Sequence, residues 1–247
     1  MQIIYEDNHI LAVSKTCHEI VQGDKTGDEP LPDTLKRFIK ERDQKPGNVF
    51  LGVTHRLDRP TTGVVIFAKT SKALERMNRM FAEGEVHKTY WCIVPNVWAD
   101  NPAEVRPAQR GALPPMEQDL THYLVRNEKQ NRSMAYDTRE EALRHNRATD
   151  VKEARLHYRV LSTTPRYALL EVRLFTGRHH QIRCQLSHIG LIIRGDLKYG
   201  APRSNPDGGI SLHSRKAEFV HPVSKQEVVI EAPVPDETLW QALAAQV

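Results

Sequence analysis

The chain of 247 residues has few cysteines and no long apolar segment, and both absences narrow what it can be. Cys17, Cys92 and Cys184 lie far apart and form no C-x-x-C pair, so the sequence indicates neither a zinc ribbon nor a disulfide framework. No run of about 18 apolar residues occurs, which argues against a transmembrane helix. The N-terminus lacks the basic and apolar regions of a signal peptide. We therefore expect a cytoplasmic protein with no membrane partner.

Several sequence motifs of common enzyme classes are also missing. There is no Walker loop, no G-x-G-x-x-G after a strand and no G-x-S-x-G, so nucleotide cofactors and an α/β-hydrolase mechanism have no support. The spacing of His179, His180 and His188 matches no zinc pattern, and no metal site is predicted. Haloacid-dehalogenase-type phosphatases need a second acid two residues after their nucleophilic aspartate. In this chain the residue two positions after Asp58 is Pro60.

The charge and composition describe a mildly basic globular protein. The 35 Lys and Arg residues exceed the 31 Asp and Glu residues, which gives a net charge of +4. Such a balance permits a polyanionic partner without demanding one. The length and the 39% of hydrophobic residues suffice for a substantial core.

The hydrophobic pattern predicts about ten strands, often consecutive, against four helices, which is typical of an α+β fold. We expect a largely antiparallel mixed sheet with helices packed on it. The irregular segment 98–115 is the best boundary between two packed lobes, approximately 1–97 and 116–247, of one catalytic domain with a central active-site cleft. Details include a buried strand at 49–53, a helix at 33–42, a helix capped by Ser71 and a helix capped by Thr176.

The most informative stretch is HRLDRPTTG at residues 55–63, between two apolar strands. Asp58 sits there between Arg56 and Arg59. Taken alone, such a carboxylate in a Pro/Gly turn is typical of a surface ion pair. If the backbone is extended, Arg56 and Asp58 point to the same side.

Three ordered motifs together resemble the RluA-type pseudouridine synthases. HRLDRPTTG is similar to their HRLDxxTSG motif, with Thr62 in place of Ser. Lys88-Thr89-Tyr90 resembles their K-x-Y segment. TGRHHQIR, which ends at Arg183, resembles GR(T/S)HQIR, and residues 195–200 match GDxxYG. The resemblance covers nearly the whole chain, although the loop at 14–23 departs from the family's NKPxG and VHP patterns.

This resemblance implies a set of roles. Asp58 is the catalytic aspartate, Tyr90 the active-site tyrosine, Arg183 the basic partner of Asp58, and Arg56 the side chain that enters the RNA stack where the target uridine leaves. The remaining candidates for RNA binding are His55, Thr62, Arg178 and Gln181. We expect structured rRNA or tRNA as the partner, a monomer with no protein partner, no separate N-terminal RNA-binding domain, and RNA contact through the basic segment 129–152.

The implied reaction suits the residues. Conversion of uridine to pseudouridine breaks the N1–C1′ bond and rejoins the base through C5, with no redox change and no net hydrolysis, so no cofactor is needed. Two alternatives stay open at this point. The chain is a non-catalytic RNA-binding or chaperone protein on the same scaffold, or it is a nucleoside or glycoside hydrolase. The second alternative calls for two carboxylates, and the stretch offers one.

Overall fold

The structure is a computed structural model that describes residues 2–23, 27–99, 113–146 and 150–247. Its strands are β1 Gln2–Glu6, β2 Ile10–Lys15, β3 Gly52–Val53, β4 Thr62–Ala68, β5 His87–Pro95, β6 Glu117–Asn127, β7 Arg132–Tyr136, β8 Val151–Thr163, β9 Tyr167–Leu174, β10 Leu212–Val220 and β11 Glu227–Glu231. Its α-helices are α1 Leu31–Arg42, α2 Ser71–Glu83, α3 Arg139–Asn146, α4 Gln181–His188 and α5 Thr238–Ala244. A 3-10 helix covers Leu197–Tyr199.

The chain forms two compact units, and it enters each of them twice. The first unit is Met1–Lys88 with Ser214–Pro233, and the second is Thr89–His213 with Val234–Val247. Strands β5 and β10 each begin in one unit and end in the other. The predicted boundary at 98–115 lies mostly outside the described residues, so the lobe bounds stay a prediction.

In the first unit, the strands follow the order β1-β2-β4-β10, with β11 beside β10 and β3 beside β4. The pairs β1–β2, β2–β4, β3–β4 and β10–β11 are antiparallel. Alternate residues of these strands point to one face, where they bury an apolar cluster against helix α2. Its members include Ile10, Ala12, Val64, Ile66, Met77, Met80, Phe219 and Ile230.

In the second unit, the order is β5-β9-β8-β6-β7. Long antiparallel ladders join β6 to β8 and β8 to β9. Leu124 and Ala154 on this sheet pack with Cys184 of helix α4 and with Tyr199. The predicted α+β class with a largely antiparallel sheet is confirmed. None of the helices in the described ranges is long and apolar enough to cross a membrane.

Three local predictions were wrong in detail. The strand expected at 49–53 is only Gly52–Val53, and Phe50 before it is largely exposed because no neighbouring strand pairs there. Thr70, not Ser71, caps helix α2, since its Oγ1 accepts a hydrogen bond from the Ala73 N–H at 3.1 Å. Helix α4 begins at Gln181, well after Thr176.

Candidate active site

The loop at residues 54–61, which carries Asp58, is anchored to strand β4 at its start. After β3 ends, side chains continue the pairing with β4. Thr54 Oγ1 donates to the Ile66 carbonyl at 2.6 Å, and the Ile66 N–H donates to His55 Nε2 at 3.0 Å. Both backbone groups of one β4 residue are thus satisfied by side chains of the loop, and the loop cannot slide along the strand.

The end of the same loop is held by Lys15, the last residue of β2. Its ammonium donates to the carbonyls of Thr16, Arg59 and Thr61 at 2.8, 2.8 and 2.7 Å. All three of its protons therefore have an acceptor. The side chain is 1% exposed, and burial lowers the pKa of Lys15 to about 8, opposed by nearby groups that include Asp58. Since that attraction is mutual, the ammonium also stabilises the Asp58 carboxylate.

His55 is a half-buried, neutral side chain of this unit. Its Nε2 accepts a backbone N–H, so the ring carries its proton on Nδ1. Burial, helped by Lys88, lowers the pKa of His55 to about 3. The ring packs on Phe81 with 4.6 Å between centroids, and Lys88 Nζ lies 5.7 Å from the Phe81 centroid. The contacts of His55 are those of a group that supports the loop.

Both arginines beside Asp58 are bound by the loop that follows β2. Arg59 Nη1 donates to Asp28 Oδ2 at 2.6 Å, and Arg56 donates to the Gln22 side-chain oxygen. Asp58 itself is half-buried, and its carbonyl accepts the Thr61 N–H at 3.0 Å to close a turn. Arg56 is exposed.

Strand β4 begins with Thr62, which is half-buried, and continues with Gly63. Gly63 has φ of +108°, and a Cβ at this position would lie 2.2 Å from the Ser214 carbonyl oxygen. A residue with any side chain would push the two strands apart. The glycine of the motif therefore permits β4 to approach β10 immediately after the loop.

In the second unit, the candidate residues lie on β5 and on helix α4. Tyr90 of β5 is 7% exposed. Arg183 of α4 is 5% exposed and makes a bidentate ion pair with Asp196, with Nε–Oδ2 and Nη2–Oδ1 distances of 2.7 and 2.8 Å. Two parallel hydrogen bonds fix the plane of the guanidinium as well as its position.

Tyr199 lies beside this ion pair. The Arg183 Cζ is 5.1 Å from the centre of its ring. Its hydroxyl oxygen accepts the Ser133 N–H at 2.9 Å and lies 3.0 Å from His180 Nδ1. The sequence motif GDLKYG contains both residues, but the motif by itself predicts no role for Asp196 or Tyr199. The signal that could have found them is an acid and an aromatic residue at fixed spacing after the arginine.

Gln181 and Arg178 differ in their surroundings. Gln181 is buried, and its Oε1 accepts from the Arg178 N–H and from Thr176 Oγ1 at 2.9 and 2.8 Å. Its Nε2 donates to the Arg155 carbonyl at 3.0 Å. Arg178 is exposed, and its Nε donates to the Glu153 carbonyl. Gln181 thus holds the segment before α4, and Arg178 stands at the surface.

One group of metal-ligating residues occurs in the described part of the chain. Donor atoms of His122, Asp137 and His188 lie within 4.8 Å of one another. Gln185 Nε2 donates to the Ala154 carbonyl at 3.1 Å and lies 3.0 Å from His122 Nδ1. His122 therefore keeps its proton on Nε2, the atom that faces Asp137 at 3.7 Å. That tautomer is wrong for a ligand, and the group fits a hydrogen-bonded cluster better than a metal site.

The candidate residues are divided between the two units. Asp58, Arg56, His55 and Thr62 lie in the first, and Tyr90, Arg178, Gln181 and Arg183 lie in the second.

Comparisons with known proteins all find similarity to RNA pseudouridine synthases. Residues 9–188 match the model of the RNA pseudouridylate synthase family. The chain is 31% identical to tRNA pseudouridine synthase C of Vibrio vulnificus, over 98% of this chain and 94% of that protein. It is 30% identical to ribosomal large subunit pseudouridine synthase D of Xylella fastidiosa, over 99% and 69%. Among solved structures, human RNA pseudouridylate synthase domain containing 4 superposes with a TM-score of 0.72 at 23% identity, over 97% of this chain and 90% of that one, a likeness of fold.

Proposed function

The chain belongs to the RNA pseudouridylate synthase family, and we propose that it isomerises uridine to pseudouridine in structured rRNA or tRNA with Asp58 as its nucleophile. The observation that supports this role is the anchoring of the loop around Asp58. Lys15, Thr54 and His55 fix both ends of that loop. A reacting carboxylate needs this kind of rigid support.

The reaction is balanced within the substrate and one carboxylate. Asp58 forms a bond to the sugar or to the base while the N1–C1′ bond breaks. The uracil then turns, C5 bonds to C1′, and the bond to Asp58 breaks, which returns the free carboxylate. The hydrogen of C5 leaves as a proton, and N1 gains one. The covalent step divides one difficult rearrangement into two easier ones.

The other roles concern the flipped uridine and the charge of Asp58. We propose that Tyr90 stacks on the uracil and excludes water, so that the separated fragments recombine instead of hydrolysing. Arg183 is the cation that keeps Asp58 ionised. Arg56 occupies the gap that the flipped nucleotide leaves in the RNA stack. Its exposure and its polar contact to Gln22 suit a side chain that must change partners on binding.

The remaining candidates have distinct parts in this proposal. Arg178 contacts RNA from the surface. His55 and Gln181, whose polar atoms are engaged inside their own units, support the loop of Asp58 and the start of α4. Thr62, at the end of the catalytic turn, contacts the RNA. The described part of segment 129–152 adds further positive charge for the RNA backbone.

The RNA target, the compartment and the oligomeric state are proposals as well. The relatives act, by their names, on transfer RNA or on large-subunit rRNA, and identities of 30% and 31% do not choose between them. We also propose that the protein works in the cytoplasm as a monomer without a protein partner. Sedimentation of the purified protein, with and without RNA, tests the oligomeric state.

The alternatives receive less support. A purely RNA-binding protein would have no use for a fixed carboxylate on a loop of this family. A hydrolase would release free uracil, for which a second carboxylate near Asp58 is needed to activate water.

The test of the proposed function uses transcripts of tRNA and large-subunit rRNA that carry tritium on C5 of uridine. Isomerisation releases that tritium to water, because C5 loses its hydrogen. Wild-type protein is expected to release it and to leave pseudouridine in the RNA. Asp58→Asn is expected to bind the same RNA and release none. The matched control Asp33→Asn, on helix α1 and paired with Lys36 at the surface, should release tritium as wild type does.

Three outcomes would contradict the proposal. Tritium release by Asp58→Asn at the wild-type rate would remove Asp58 from the mechanism. RNA binding by wild-type protein without release from any transcript would favour the non-catalytic alternative, and free uracil in the products would favour the hydrolase.

A further inference from the structure

Two guanidinium groups approach the ring of Tyr199, and only one of them has an acidic partner among the described residues. Arg183 Cζ lies 5.1 Å from the ring centre and Arg132 Cζ lies 4.9 Å from it. Arg183 has an acidic partner, because it makes a bidentate contact to Asp196. Among the residues that the structure describes, no carboxylate lies within ion-pair distance of Arg132.

Arg132 is held in place without being neutralised. It is the first residue of β7, and the next residue, Ser133, donates its backbone N–H to the Tyr199 hydroxyl at 2.9 Å. The strand and the ring are thereby fixed to each other. The Arg132 side chain is half-buried, and its Nε is shielded from solvent with no hydrogen-bond partner in the described structure.

A guanidinium that is held in place without a counter-ion reduces the stability of the folded protein unless a ligand binds to it. The protein places a second positive charge near Arg183 and, among the described residues, provides an acidic partner only for the first. Lys198 adds another cation, because its Nζ donates to the carbonyl of Asn131, the residue before Arg132. A surface with this excess of positive charge attracts anions.

We propose that Arg132 binds a phosphate group of the RNA backbone. The guanidinium presents planar, paired N–H donors that match phosphate oxygens, and its cation–π contact with the Tyr199 ring restricts its position before binding. The Nη groups supply the contact, while the ring and the strand prevent the loss of side-chain freedom on binding. Arg132 is then a substrate-binding residue in addition to those named above. The inference rests on the proposed function, since that function supplies the RNA.

The first experiment measures how salt affects binding. The probes are fluorescein-labelled transcripts of a tRNA and of a large-subunit rRNA fragment, titrated with Asp58→Asn protein so that chemistry does not intervene. Over about 50 to 400 mM KCl, log Kd changes linearly with log[KCl], and its slope counts phosphate contacts. Arg132→Gln in the same background is expected to reduce the slope by about 1 and to weaken binding roughly 3- to 10-fold at moderate salt.

Two companion variants make the result specific. Arg159→Gln removes an arginine of the same unit that is already paired with Glu171 at 3.0 Å, and the slope should stay as before. Arg132→Lys keeps the charge but loses the fork of paired N–H donors, so it should retain most of the slope with part of the affinity. Thermal unfolding of each variant confirms that the compared proteins are folded.

The second experiment separates binding from chemistry in otherwise wild-type protein. Arg132→Gln is expected to raise KM with little change in kcat, as removal of uniform substrate binding does. A fall in kcat at constant KM would instead make Arg132 a support for Arg183 and would overturn the proposal. So would a slope unchanged by Arg132→Gln, or one changed equally by Arg159→Gln.

Failure of this proposal can be told apart from failure of the proposed function. An unchanged salt slope with normal tritium release rejects Arg132 as a phosphate contact and leaves the isomerase intact. A reduced slope with no tritium release from any wild-type reaction supports the contact and rejects the isomerase.

Discussion

Arg183 and Asp196 form a bidentate ion pair with N–O distances of 2.7 and 2.8 Å, and the two side chains are 5% and 1% exposed. They are thirteen positions apart in the sequence, and between them the chain completes helix α4 and returns through an irregular segment. The pair holds a cation in a region from which water is largely excluded. Asp196 thereby acts on Arg183 as a positioning residue.

Asp196→Asn should be strongly destabilising. The substitution keeps the shape but removes the negative charge that makes two hydrogen bonds to the buried Arg183 guanidinium. Loss of one partner of a buried pair costs about 3–5 kcal/mol in the free energy of unfolding. Urea denaturation measures this loss. The control Asp33→Asn breaks the exposed pair with Lys36 and should cost no more than about 0.5 kcal/mol. A loss below about 1 kcal/mol for Asp196→Asn would show that the pair contributes little.

Lys15 should make the stability of the protein depend on pH above neutrality. Burial lowers the pKa of Lys15 to about 8 in the folded protein from its usual 10.5. Between these values the unfolded chain binds more protons than the folded one, so the free energy of unfolding gains from this residue as pH rises. The full gain is roughly 3 kcal/mol, and it is absent below about pH 8.

Lys15→Met removes that titration and provides the comparison. The free energy of unfolding of wild type minus that of Lys15→Met should grow between about pH 7 and about pH 10, as measured by urea denaturation at several pH values. Other titrating groups cancel in the difference, since both proteins contain them. A difference that is flat over this range would contradict the depressed pKa of Lys15.

Gly63→Ala should prevent β4 from meeting its neighbour correctly. The added Cβ would lie 2.2 Å from the Ser214 carbonyl oxygen, at a φ of +108° that L residues rarely adopt. We expect insoluble protein or a loss of several kcal/mol, together with loss of activity through the adjoining loop of Asp58. The measurement is thermal unfolding with tritium release.

Gly84→Ala is the matched control for that variant. Gly84 ends helix α2 with φ of +78°, and nothing lies within 4 Å of the added Cβ. Only the backbone penalty of about 1–2 kcal/mol applies, which corresponds to a fall in Tm of a few degrees. Equal effects of the two substitutions would mean that the close approach to Ser214 is unimportant.

The local pattern of the sequence predicted much of the fold. The apolar spacing predicted helix α1 to within two residues at each end and the start of helix α2 to within one residue. The prediction failed at 49–53 and at Thr176, where hydrophobicity and capping potential suggested regular structure. Whether an apolar segment becomes a strand depends on a partner to pair with, and Phe50 has none in the described structure.

The motifs around Asp58, Tyr90 and Arg183 identified the family and the reaction from sequence alone, because chemistry at one carboxylate restricts the residue types beside it. The supports of those residues were decided by the tertiary structure. Lys15 is joined to Thr61, and Arg183 to Asp196, only after strands pair and a helix packs. The role proposed for Arg132 likewise depends on its contact with the ring of Tyr199. Such contacts depend on register and packing across many residues, which no local pattern of amino acids records.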